Sequence, residues 1–153
     1  MNNQTLSPGN IWEFQHTLTR RLSWGAGISI LLGLGVLLVQ TRFWNGVAIQ
    51  FIIWGLIDIF IAWGGNASAR RRKSRLSPEQ VIASQPAEVR SLGRILWINT
   101  GLDVFYMLAG TLLAVFLGID NPLWLGTGVG ILLQGAFLFF FDWYHALRLR
   151  EYR

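Results

Sequence analysis

The chain has no cysteine, two histidines, and little charge: Asp, Glu, Lys and Arg together make up 14% of its 153 residues. A soluble domain carries roughly 25%. Without cysteine there are no disulfides, no thiolate nucleophile and no cysteine-ligated metal centre. No serine stands in a nucleophile-elbow context. Gly33 and Gly35, and Gly126, Gly128 and Gly130, lie inside apolar runs, where glycines serve packing rather than phosphate binding. The expectation is a protein that is not an enzyme and binds no cofactor.

What the chain has instead is apolar length. The missing charge is missing from four blocks of 18 to 24 residues. Residues 22–39 carry no charge, 43–63 only Asp58, 95–118 only Asp103, and 123–144 only Asp142. About 20 apolar residues in a helix cross the hydrocarbon core of a bilayer. A helix is also the one open-chain structure that satisfies its own backbone in lipid. The sequence therefore predicts an all-α integral membrane protein, a four-helix bundle forming one membrane domain over 1–153. Arg20 and Arg21 precede the first block as in a signal peptide, but Leu38-Val39-Gln40 is no cleavage site, so the block reads as a retained span.

The basic residues orient these spans. Arg20 and Arg21 precede the first. Arg70, Arg71, Arg72, Lys73, Arg75, Arg90 and Arg94 fall in a loop, 64–94, between the second and third. Arg148, Arg150 and Arg153 follow the fourth, in a tail of residues 145–153. Only Arg42 lies on the opposite side, where the hairpins are short. Positive residues collect on the cytoplasmic side, so both termini and the 64–94 loop are expected there, in a bacterial inner membrane. Arg70, Arg71, Arg72, Lys73 and Arg75 are candidates for contact with anionic lipid head groups. The net charge of +5 does not imply nucleic acid, because no stacking aromatics interleave with the basic run.

Two flanking segments read as helix starts. Asn10 caps a stretch over 10–21 whose Ile11, Phe14, Leu18 and Leu22 share one face, which suggests a helix lying in the membrane interface. Ser77-Pro78-Glu79-Gln80 opens another helix, and Pro86 is expected to end or restart it.

A repeat is visible between the second and fourth blocks. Gly46, Gln50, Asp58 and Ala62 recur as Gly130, Gln134, Asp142 and Ala146, always 84 residues on. Arg21-x-x-Trp24 and Arg94-x-x-Trp97 correspond more loosely. Two tandem helical hairpins related by a parallel pseudo-repeat would give this pattern. Small residues spaced by four, Gly25, Ser29 and Gly33 in the first block and Gly126 and Gly130 in the fourth, suit close helix packing. They also leave room for a homo-oligomer or a larger membrane complex.

The polar residues inside the blocks are the candidate site. Asp58, Asn99, Asp103, Tyr106, Asp142 and His145 are expected on the cytoplasmic side of the bundle, with Gln50 and Gln134 deeper. An intramembrane carboxylate costs about 2.5–3.5 kcal/mol at mid-bilayer, so something compensates it. One reading is structural: interhelical hydrogen bonds, with Arg20, Arg21, Arg94 or Arg148 as partners, in a non-enzymatic accessory or scaffold subunit acting through helix packing. The alternative is a small proton- or cation-coupled transporter that uses the three aspartates. A third reading, a haem- or pigment-associated subunit, would rest on His16 and His145.

The stretches GRILWINTGLDVFYMLAG (93–110) and GVGILLQGAFLFFFDWYHA (128–146) resemble an uncharacterised family of small four-span bacterial inner-membrane proteins, a domain of unknown function. The features carrying the likeness are Asn99, Asp103 and Tyr106 in one span and Gln134-Gly135, Asp142 and His145 in the next. The resemblance implies a bacterial inner-membrane location and no particular activity.

Overall fold

A computed structural model of the chain describes residues 10–152; Arg153, one of the basic tail residues, lies outside them. The described residues form four helices and no strand: α1 (Ile11–Leu37), α2 (Arg42–Ser74), α3 (Pro78–Phe116) and α4 (Pro122–Arg148), followed by a 3₁₀ turn (Leu149–Tyr152). Each helix opens on a capping side chain that accepts one of the free N-terminal N–H groups. Asn10 takes the Trp12 amide, Thr41 that of Trp44, Asn121 that of Leu123. At α3 the capping box is complete: Ser77 Oγ accepts from the Gln80 amide and Gln80 Oε1 from the Ser77 amide.

The helices are longer than the apolar blocks. At 1.5 Å per residue, the 33-residue α2 and the 39-residue α3 run about 50 and 58 Å, well beyond the roughly 30 Å of hydrocarbon. The excess lies at one end, so the 64–94 segment is not a loop but an antiparallel helical hairpin turning at 75–77. Pro86 does not end α3; the helix continues through it. Proline deprives the carbonyl four residues earlier of its donor, but Ile82 and Pro86 are both exposed, so water can replace the lost bond. The tail is not loose either, since α4 continues to Arg148 and Leu149 is buried.

The helix pairs explain the repeat. α1 packs on α2, α2 on α4 and α4 on α3, while α1 and α3 barely touch. Gly46 of α2 lies against Leu123, Gly126 and Thr127 of α4, and Gly130 against Val47 and Gln50. α2 and α4 thus run side by side in the same direction, with one hairpin partner on each flank. Glycine permits these approaches: a Cβ on Gly126 would collide with the Phe43 carbonyl, and one on Gly110 would sit 2.8 Å from the Gly128 carbonyl oxygen. Between helices in lipid, close backbone contact replaces the hydrophobic drive that water would supply.

At the other end the packing changes character. Ile11, Leu18, Val89, Leu96 and Leu149 form a core of large side chains where the hairpin, the start of α1 and the end of α4 meet. This corrects the reading of 10–21 as an interfacial helix. The segment is the uninterrupted beginning of α1, and its apolar face is covered by protein rather than by lipid.

Three helices are long and apolar enough to cross a membrane: α2, α3 and α4 with its 3₁₀ extension. α1 is not among them, in contrast to the four spans expected, because its glycines, serines and arginines dilute its apolar residues. The exposed large apolar side chains nevertheless fall almost wholly within the four blocks, α1 included, with Ile82 and Ile119 outside them. Among them are tryptophans at two levels. Trp44 and Trp63, and Trp124 and Trp143, are each nineteen residues apart. That is about 28 Å of helix, the spacing of the two aromatic belts of a bilayer.

Candidate functional site

The buried stripes of the four helices converge on three carboxylates. Asp58 of α2 is 2% exposed, Asp103 of α3 3%, and Asp142 of α4 8%. Asp103 lies on the stripe Val89, Gly93, Leu96, Thr100, Asp103 and Gly110, which repeats at alternating steps of four and three and so faces the bundle. Asp58 and Asp142 occupy matching places on the paired α2 and α4. Asp142 is within electrostatic range of both other acids.

None of the expected arginines compensates these charges. Among the described residues the salt bridges are Arg72–Glu88 and Arg148–Glu151. Arg20, Arg21, Arg94 and Arg148 make none with the three acids, because long basic side chains at this end turn toward the surface. Oδ2 of Asp58 and Oδ2 of Asp103 are buried without any hydrogen-bond partner. Unpaired burial is the costly state for a carboxylate.

Above the acids, toward the short hairpins, lies a satisfied polar link. Gln134 Nε2 donates to Ser29 Oγ, and Ser29 Oγ donates at 2.8 Å to the Phe51 carbonyl. This ties α4 to α1 and α2. Gln50, the repeat partner of Gln134, is only half-buried, and its stem packs on Gly130.

Below the acids a cavity of about 350 Å³ opens between α1, α2 and α3, with Asn99 and Asp142 among its lining residues. Glu88, Arg72 and Gln15 stand at its far end. Arg72 Nε and Nη2 donate to the two Glu88 oxygens at 3.0 and 3.1 Å, and Gln15 Nε2 adds a longer bond of 3.4 Å. Arg72 is therefore a clamp across the hairpin, with its side chain still half exposed. Arg70, Arg71, Lys73 and Arg75 are exposed on the same helix end and make no salt bridge among the described residues.

Two expected members of the cluster sit elsewhere. Tyr106 is 36% exposed and packs edge-on against Trp54, with ring centroids 4.9 Å apart. It flanks the buried stripe because positions 96, 100 and 103 lead that stripe away from it. His145 is buried but turned toward α1. Its Nδ1–H donates to the Phe141 carbonyl at 2.7 Å, which fixes the tautomer, and Nε2 accepts from Arg21 at 3.5 Å. Phe14 covers the ring. His16 instead lines a separate groove with Trp12 and Arg70, so the two histidines form no joint ligand pair for a haem. Among the described residues no three His, Asp or Glu side chains gather as metal ligands.

The sequence reading missed Gln15, Glu88 and the bonding role of Ser29. Gln15 had a readable signal: it falls in register with Ile11, Leu18 and Leu22, where an apolar residue belongs. Neither the curated proteins nor the solved structures contain a match to the chain. A family model matches residues 21–143, a stretch that runs from Arg21 to Trp143 and includes all three acids. The chain belongs to this family, described as a Family of unknown function (DUF6992).

Proposed function

We propose that the protein is a four-span, proton-coupled transporter of the bacterial inner membrane, with both termini and the helical hairpin in the cytoplasm. The carrying observation is the pair of buried Oδ2 atoms on Asp58 and Asp103, which have neither hydrogen-bond partner nor counter-charge. Two groups placed this way must be neutralised, and a proton does so where no metal-ligand set assembles. Asp142 borders the cavity and serves as the entry group. Asp58 and Asp103 lie behind it as the sealed store. Toward the short hairpins the glycine contacts close the bundle, so this is the inward-open arrangement.

Crossing by α1 is supported by its position. Gly33 lies against Ala48, and Gly55 against Ala26 and Ile30, so α1 runs alongside α2 through most of the apolar zone. The exposed Arg70, Arg71, Lys73 and Arg75 then meet anionic head groups at the inner surface. A scaffold role draws less support, because most of the small-residue faces are occupied within the chain. The test is infrared spectroscopy of the protein in lipid at neutral pH. The protonated-carboxyl stretch should be present in the wild type and should shrink in Asp58→Asn and Asp103→Asn variants that elute as the wild type does. A spectrum with all carboxyls ionised would sink the proposal.

A further inference from the structure

The cavity below the acids has an unbalanced lining. Along α3 it extends from Glu88 to Asn99, eleven residues or about 16 Å of helix. Leu92, Leu96 and Phe141 supply apolar wall. Its polar groups at the hairpin end cancel: Arg72 is held by both Glu88 oxygens. Beside the half-buried or exposed Thr19, Ser68, Ser91 and Asn99, two buried acceptors are left over. Gln15, 8% exposed, buries its Oε1 with no donor in reach. Asp142, equally buried, borders the cavity with a carboxylate that no basic residue pairs. Unmet buried acceptors beside an apolar wall ask for a ligand that brings N–H donors and positive charge. A volume of about 350 Å³ is within the range of small-molecule sites. An anion would face Asp142 without compensation, and a neutral hydrocarbon would leave both acceptors unmet.

The geometry points to an amphiphilic amine as the ligand of this cavity, its ammonium group on Asp142 and its alkyl body along Leu92, Leu96 and Phe141. This rests on the proton reading in one respect: on binding, the ammonium takes the place of a proton held by the acid trio, and that proton leaves to water. No bond other than O–H is made or broken.

The test is binding of radiolabelled octylamine to the full chain in lipid nanodiscs, with octanol and octanoate as competitors. Octylamine should bind, and neither competitor should displace it at tenfold higher concentration. Asp142→Asn should weaken binding at least tenfold. Ser91→Trp places a large side chain at an exposed position on the cavity wall; it should abolish binding while leaving every acid in place, so a misfolded Asp142→Asn does not decide the matter. Equal competition by octanol, or unchanged binding in a folded Asp142→Asn variant, overturns the inference. Proton release is read separately, by calorimetry in buffers of differing ionisation enthalpy. Octylamine binding without proton release upholds the amine site and overturns the coupling. A protonated-carboxyl stretch in a protein that does not prefer octylamine upholds the proton store and overturns the amine site.

Discussion

At the scale of single residues, the bundle contains two kinds of buried polar group. The first is satisfied. Ser29 accepts from Gln134 and donates to the Phe51 carbonyl, so the pair ties three helices together. The second, the oxygens of Asp58 and Asp103, is not satisfied. The contrast makes the first kind a structural element that can be tested without touching the second. Ser29→Ala leaves the buried Gln134 amide without an acceptor, which costs about 1–3 kcal/mol where the group cannot reach water. Removing both partners costs less, because no orphan remains. In a double-mutant cycle followed by thermal unfolding in detergent, Ser29→Ala should lower stability, and adding Gln134→Leu should restore part of it. Strict additivity of two losses would show that the pair is not coupled.

At the scale of elements, the helices meet by two different means. In the apolar half glycines bring backbones together, and at the hairpin end large side chains interlock. Gly126→Leu drives a side chain into the Phe43 backbone, and overpacking with no room to shift costs about 3 kcal/mol or more. Gly27 has nothing within 4 Å of the place its Cβ would take. Gly27→Leu should therefore be neutral or slightly stabilising, since glycine is a poor helix former. Size-exclusion profiles and unfolding temperatures of the two variants should part widely; equal behaviour would contradict the packing described. These elements were unevenly legible in the sequence. The apolar blocks, the Ser77 capping box and the repeat of Gly46, Asp58 and Ala62 as Gly130, Asp142 and Ala146 are local or periodic signals, and the helices carry them. The extension of α2 and α3 past their blocks was hidden, because a charged run and Pro86 read as interruption until a hairpin partner supports them. The burial of Asp103 was readable from its spacing. The exclusion of Tyr106 was not, since Asn99, Asp103 and Tyr106 also share a face at helical spacing and only the packed neighbours choose between two adjacent stripes. Arg72 as the partner of Glu88, among the five cations of 70–75, was equally a tertiary choice.

At the scale of the whole molecule, three independent features define a direction across the membrane. Twelve of the thirteen basic residues lie beyond one end of the apolar blocks, with Arg42 alone at the other. The tryptophan levels bracket about one hydrocarbon thickness. The helical hairpin and the large-side-chain core project from the basic end. Basic residues resist translocation, so the proposed orientation puts this end inside and the short hairpin near Asp120 outside. The absence of cysteine makes this directly measurable, because one introduced thiol is the only thiol. Asp120 and Ser74 are both exposed and lie at opposite ends of the apolar zone. In intact bacterial cells a membrane-impermeant maleimide should label Asp120→Cys and spare Ser74→Cys, and after lysis it should label both. Labelling of Ser74→Cys in intact cells would invert the orientation, and with it the side from which Asp142 is loaded. Labelling of both in intact cells would remove the crossing between them, and the acid trio could then no longer be read as lying within a membrane.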